Sequence, residues 1–302
     1  MDAIALLVAA TLGAGTPLAL AGLGLLVNEK AGVVNLGAEG VMLVAAVAGF
    51  AVALDTGSQP AALAAGALAG LVLGALVVGL NANQYASGLA LSLFGVGFSA
   101  FVGLPYVGKS LAPWQPPPIP LLGDLPLLGP ALFRHHPMVY LSVLAALGVF
   151  WFFDRTRSGL VLRAVGESPA AAHALGYPVR WLRLAALMAG GALVGLAGAY
   201  VSVVYTPLWV EGMVAGRGWI ALALTTFATW RPARVLLGAW LFGGVTMLQF
   251  HLQGMGVQVA SQWLSMLPYL ATILVLALIS RNPAWIRINM PASLGRPFHP
   301  GD

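Results

Sequence analysis

The chain is a succession of apolar runs, each close to the thickness of a lipid bilayer, and this limits its fold more than any motif does. Crossing the hydrocarbon core takes about 20 apolar residues, with a range of about 17–25. Candidate spans fall at 3–27, 33–54, 61–80, 85–104, 137–153, 184–206, 214–230, 235–252 and 263–280. In lipid every backbone N–H and C=O must be satisfied internally, so such runs fold as helices. The expectation is an all-α polytopic membrane protein forming one transmembrane domain over residues 1–302, with about nine spans (eight to ten). Some of these are short or broken, and 214–230 is short enough to be a half-helix.

Composition supports the same class. Charged residues make up 8% of the chain and hydrophobic ones 60%, against about 25% charged in soluble domains. The 38 glycines and 20 prolines would disrupt a soluble helical protein. Between membrane helices they are tolerated, and small residues let backbones approach closely. With no cysteine, disulfides, thiolate metal sites and a cysteine nucleophile are excluded. The first apolar run begins at Ala3 without a basic leader, so no cleavable signal peptide is expected.

The net charge of +5 could suggest a nucleic-acid partner, but the basic residues flank apolar runs. Five arginines (Arg155, Arg157, Arg163, Arg180 and Arg183) lie in one polar island, 154–183. Basic residues gather on the cytoplasmic side of membrane proteins, so this island is assigned inside and nucleic acid is not expected. Alternation then puts Arg231, Arg234 and the tail 281–302 inside as well, with the N-terminus and the proline-rich loop 105–136 outside. Within the island, Ser168 is placed to cap a helix, Pro169 suits its first position and Gly176 its end. A small capped helix on the cytoplasmic face is shaped to dock on a partner.

Two polar interruptions break the apolar pattern, Asn28–Gly40 and Trp209–Trp219. Each follows a Gly-rich helix, sets glycines around a charged residue and leads into an Ala/Leu-rich run. They fall on opposite sides of the membrane, an arrangement that resembles an inverted repeat whose broken helices meet near a central pathway. Asn35 and Glu39 lie four apart and share a helix face. Glu39 either pins a helix entry by accepting backbone N–H groups or contacts a solute, since a buried carboxylate needs partners. For Glu211 and Arg217 a local ion pair is expected. Asn83, Gln84 and Ser87 line a solute pathway if they enter the membrane and form a solvated turn if they do not; Trp219 is a further pathway candidate. Isolated polar residues such as Ser92 and Thr225 are expected to make interhelical hydrogen bonds.

Catalysis has little support. The chain has no GxxxxGK[ST], HExxH or GxSxG motif, and His135 and His136 are adjacent rather than at a helical metal-site spacing. No catalytic residue, metal or bound cofactor is expected.

Four segments, GVVNLGAEGVMLVAA (Gly32–Ala46), NQYASGLALSLFGVGFSAF (Asn83–Phe101), RAVGESPAAAHALG (Arg163–Gly176) and AGRGWIALAL (Ala215–Leu224), occur in an order and spacing that resemble permease subunits of ABC importers. The resemblance is to the ribose and branched-chain amino acid permease superfamily, and within it to the nucleoside and simple-sugar branch. MLPYLATILVLAL (Met266–Leu278) and PASLGRPF (Pro291–Phe298) fit the same branch. The resemblance implies a coupling loop over 154–183, with Arg163, Glu167, Ser168, Ala170, Ala171 and Gly176 facing an ABC ATPase subunit. It also implies a second, paralogous permease, an extracytoplasmic solute-binding lipoprotein, and ATP and Mg handled by the partner. Import of nucleosides is the leading expectation, followed by simple sugars or riboflavin-like solutes. A stand-alone secondary transporter is the reading from a different class.

Overall fold

The computed structural model describes residues 2–79, 83–114, 128–255 and 289–296, with isolated positions between 263 and 277 and residue 298. Ten α-helices run in chain order: α1 (Asp2–Lys30), α2 (Ala38–Thr56), α3 (Gln59–Gly79), α4 (Gln84–Gly103), α5 (Pro137–Arg155), α6 (Arg157–Glu167), α7 (Pro169–Ala174), α8 (Val179–Tyr200), α9 (Arg217–Phe227) and α10 (Pro232–Gly254). Among the described residues there is no strand, only an isolated bridge between Ser110 and Leu208. Six helices are long and apolar enough to cross a membrane: α1, α2, α4, α5, α8 with its continuation to Tyr205, and α10. The expected span at 263–280 and the tail arginines Arg281 and Arg287 lie largely or wholly outside the described residues, as do Asn81 and 115–127 of the proline-rich loop.

The helix ends follow local chemistry. Chain 33–37 is not helical, so α2 begins later than the apolar run beneath it. The expected span 214–230 yields only the 11 residues of α9. At about 1.5 Å per residue α9 covers about 16 Å, half of a hydrocarbon core about 30 Å thick. It is a half-helix.

α1 packs against α8, α9 and α10, while α8 packs against α1, α2 and α3. Exchanging α1 with α8, α2 with α9 and α3 with α10 maps this pattern onto itself, as expected for two repeats of one motif. Small residues make the closest interfaces. Gly66, Gly70 and Gly74 of α3 recur every fourth residue and face Gly191, Gly195 and Ala199 of α8 with the same spacing. A side chain on Gly70 would collide with the Gly191 carbonyl, and one on Gly195 with the Gly66 carbonyl. On the other side, Gly15 and Gly243 bring α1 and α10 together in the same way. Apolar side chains are as well solvated by lipid as by one another, so this close fit is what holds the bundle.

The end opposite the basic island is tied by the connector after α4. Leu111 N donates to Pro207 O at 2.8 Å, and Trp209 N donates to Lys109 O at 3.2 Å. His136 caps α5, its Nδ1 accepting from Met138 N at 3.2 Å, with Nε2 3.3 Å from Gln59 Oε1. Burial lowers its pKa to about 4. The ring is therefore neutral at pH 7, and with Nδ1 accepting, the proton sits on Nε2.

Replacing Gly195 with Val should cost more than about 1–3 kcal/mol through overpacking against rigid backbone. Gly97→Ala, where nothing lies within 4 Å of the added carbon, should be neutral. Thermal melting of the two variants in detergent tests this.

Candidate functional site

The two interruptions meet inside the bundle. α9 opens at Gly216, in the left-handed region at φ 79°, and no local side chain caps it. The cap comes from α2, 177 residues away in sequence. Glu39 Oε1 accepts from Gly216 N and Oε2 from Gly218 N, each at 2.8 Å. A Cβ on Gly218 would strike the Glu39 backbone, so only glycine permits this approach. Glu39 also lies in the first turn of its own helix, where a negative charge is favourable. One buried carboxylate thus serves two helix N-termini.

The non-helical stretch 33–37 has its backbone satisfied piece by piece. Val34 N donates to Gln84 Oε1 at 3.0 Å, Gly37 N to Asn35 Oδ1 at 3.0 Å, and Ser92 Oγ to Leu36 O at 2.8 Å. Irregular backbone at membrane depth survives only when protein covers it in this way. α4 supplies the cover through a face of small or short residues. A Cβ on Gly95 would collide with Gly40, and one on Gly88 would press on Leu36.

Of the six pathway candidates, three converge here: Asn35, Glu39 and Gln84, all buried. Asn35 Nδ2 has no partner among the described residues. At the start of α4 Asn83 is exposed and Ser87 half-buried; Asn83 Oδ1 accepts from Tyr85 N at 3.0 Å, and Ser87 Oγ donates to Asn83 O at 3.0 Å. Trp219 lies in the first turn of α9 with its indole 40% exposed. The expected Glu211–Arg217 ion pair does not form. Arg217 Nη1 instead donates to the carbonyls of Met213 and Val214, both at 3.0 Å, and its guanidinium lies 5.5 Å from the Tyr205 ring centroid. The turn's own carbonyls are nearer and already desolvated, whereas Glu211 remains exposed.

Sequence reasoning missed Glu29. α1 continues through Lys30, which buries Glu29 to 3% exposure. Its carboxylate accepts from Thr225 Oγ1 at 3.1 Å and from Trp230 Nε1. α9 is therefore held by Glu39 at its start and by Glu29 at its end. The position of Glu29 one residue before Lys30 gave the available signal, a charged pair at a helix end of which only one member can reach water. Its neighbour Asn28 is fully buried with neither amide atom paired among the described residues.

On the basic island α7 forms as expected. Ser168 Oγ accepts from Ala171 N at 3.3 Å, and Gly176 closes the helix at φ 87° with its N–H on His173 O at 2.8 Å. α6 precedes it, capped by Thr156; that helix was not anticipated. Arg163 on α6 pairs with Asp154 at 3.3 Å, and Glu167 Oε2 accepts from Ala292 N at 3.3 Å. Tail residues bind this assembly to the break after α1. Ser293 Oγ donates to Gly166 O at 2.6 Å, and Gly295 N donates to Gly32 O at 3.1 Å. Buried Arg183 donates to Ala31 O, Arg296 O and Ser293 Oγ, each at 3.2 Å. Among the described residues no group of His, Asp and Glu is placed to hold a metal.

Removing the Glu39 carboxylate as Ala should leave two buried amides unpaired, at about 1–3 kcal/mol each. Glu39→Gln keeps an acceptor and should lose less. Comparing melting midpoints of the two variants in detergent checks the order.

Residues 7–277 match the family described as branched-chain amino acid transport system / permease component. A Haloferax volcanii protein provisionally named glucose ABC transporter permease protein TsgC13 is 40% identical, with 94% of each chain covered. The guanosine ABC transporter permease protein NupQ of Bacillus subtilis is 33% identical over 90% of this chain and 91% of its own. The nucleoside ABC transporter permease protein NupC of Lactococcus lactis is 31% identical, over 92% and 93%. No solved structure matches significantly. With most of its length matched and its helices suited to a bilayer, the chain belongs to the branched-chain amino acid transport system permease family, as a multi-pass membrane permease component of an ABC transporter.

Proposed function

We propose that this permease imports nucleosides by alternating access, driven by a separate ATPase that docks on α7. The carrying observation is the construction of α7. It is short and capped at both ends, and its Ala172 packs with Val165, Val179 and Phe298. The tail that backs it also bonds to Gly32, and Arg183 of α8, which binds that tail, holds Ala31, where the chain turns toward Asn35 and Glu39. Displacement of α7 thus has a path to the junction of α2 and α9, through α6, the tail residues bonded to it and the chain from Ala31 to Glu39. Ala170 and Ala171 lie on α7 itself, and Arg163 and Glu167 on the helix before it.

In this reading the basic island is cytoplasmic, loop 105–136 faces a solute-binding lipoprotein, and ATP and Mg belong to the ATPase subunit. A second permease covers the exposed apolar side of α4, where Leu93 and Phe101 are each 75% exposed. Solute passes between the two permeases at the level of the Glu39 junction, where the exposed Trp219 side chain is an available contact. Both buried carboxylates are already bonded across helices. That favours a structural role over proton or sodium coupling and weighs against a transporter working alone. The relative at 40% identity favours free sugars as the second reading of substrate.

Gly176→Pro cannot keep a positive φ or the N–H bond to His173. Together with Ala170→Asp, it should lower uptake of labelled guanosine about tenfold or more, as expected for loss of over ~1.4 kcal/mol of coupling, with membrane levels unchanged. Normal uptake in both variants overturns the coupling role. Uptake of labelled glucose but not of labelled guanosine by the unaltered transporter would replace nucleosides with sugars.

A further inference from the structure

A cavity of about 390 Å³ opens where α1, α5, α6 and α10 end on the basic face, lined by Lys30, Arg163, Arg231, Asp154, Phe150 and Trp230 among others. Among the described residues, three cations from three helices or their caps face one carboxylate, so this part of the lining carries a formal charge of +2 (three minus one). Each cation keeps donors for an incoming anion. Lys30 Nζ spends one hydrogen bond on Asn289 O at 2.9 Å, leaving two of its three N–H groups. Arg163 is held to Asp154 by one long contact of 3.3 Å, both side chains about half exposed. Arg231 is exposed at the N-cap of α10.

The apolar surface next to this cavity decides what kind of anion suits it. Along α5, Leu147 and Phe150 precede Asp154 on one helical face and are 59% and 50% exposed. Along α10, Leu237 and Leu241 follow Ala233, which also lines the cavity, at four-residue steps and are 62% and 43% exposed. A charged pocket at helix ends therefore continues into exposed hydrocarbon on two helices that pack against each other. A small free anion would use only the first part. A phospholipid would use both. Basic pockets between membrane helices are suited to acidic lipid headgroups.

We infer that this cavity is a binding site for an anionic phospholipid, its phosphate held by Lys30, Arg163 and Arg231 and its acyl chains lying along α5 and α10. The floor of the site is Trp230, whose indole N–H is engaged by Glu29. An occupied pocket therefore presses on the residue that anchors the end of α9.

The test is thermal melting of the purified full-length protein in neutral detergent, titrated with dioctanoyl-phosphatidylglycerol, dioctanoyl-phosphatidylcholine or inorganic phosphate. Phosphatidylglycerol should raise the midpoint saturably, while the other two leave it unmoved. Exposed Arg231→Gln should weaken the apparent affinity about tenfold, the loss expected for one charge-assisted hydrogen bond. Arg180→Gln, an exposed cation of the same face outside the cavity, should not. Equal stabilisation by phosphatidylcholine overturns the proposal, because the headgroup charge is then irrelevant. An equal effect of inorganic phosphate would make this a free-anion site, and an equal effect of the two arginine variants would reduce it to diffuse surface charge. Either result rejects the lipid.

Discussion

A helix N-terminus carries about half a positive charge, so bringing the starts of α2 and α9 together in a low-dielectric bundle is unfavourable until an anion stands between them. Glu39 is that anion. It belongs to one helix, caps the other through Gly216 and Gly218, and leaves neither carboxylate oxygen without a donor. Much of the surrounding architecture follows. The half-helix can start in mid-bundle because its first amides are bonded, and α2 can start beside it because the like dipoles are neutralised. The stretch 33–37 can stay non-helical because Gln84, Asn35 and Ser92 take up its polar groups.

Around this polar centre the helices are held by shape. The glycines of α3 and α8 interlock at four-residue intervals, and Gly15 and Gly243 bring α1 and α10 together on the other side. The two kinds of interaction divide the work. Small residues set how near the helices lie but, being similar along a helix, specify register poorly. Buried polar pairs that connect distant parts of the chain, such as Ser202 Oγ on Ala46 O at 2.8 Å, select one register from several.

Features encoded within a few residues were legible in the sequence. Apolar run length predicted the long helices, the Ser168-Pro169 pair and Gly176 predicted α7 with its caps, and glycines around Glu39 and Arg217 marked the two breaks. Thr225 was expected to bond between helices, and does, whereas Ser92 bonds instead to the non-helical stretch at Leu36 O. Features that depend on partners far along the chain were not legible. Glu29 reads as part of an inner polar turn until α1 is seen to run past it, and Trp230 lies 201 residues away. Arg217 was paired with Glu211 by sequence proximity, whereas backbone carbonyls of its own turn satisfy it. The tail PASLGRPF resembled a family signature without betraying its job, which is to stitch Gly166, Gly32 and Arg183 into one knot.

The separation of Glu29 from Trp230 bears on how the protein is made. Synthesis proceeds at about 5–20 residues per second, so α1 leaves the ribosome about 10–40 s before the indole that will receive its carboxylate. During that interval Glu29 has neither Thr225 nor Trp230, and an unpaired charge is costly in lipid. The nascent first helix must therefore wait with Glu29 protonated or still at the aqueous boundary, and settle only when the second half arrives. Biogenesis of this permease is in that respect closer to docking two half-proteins than to threading helices one after another, and a chain interrupted before residue 230 would expose an orphan acid for quality control to find.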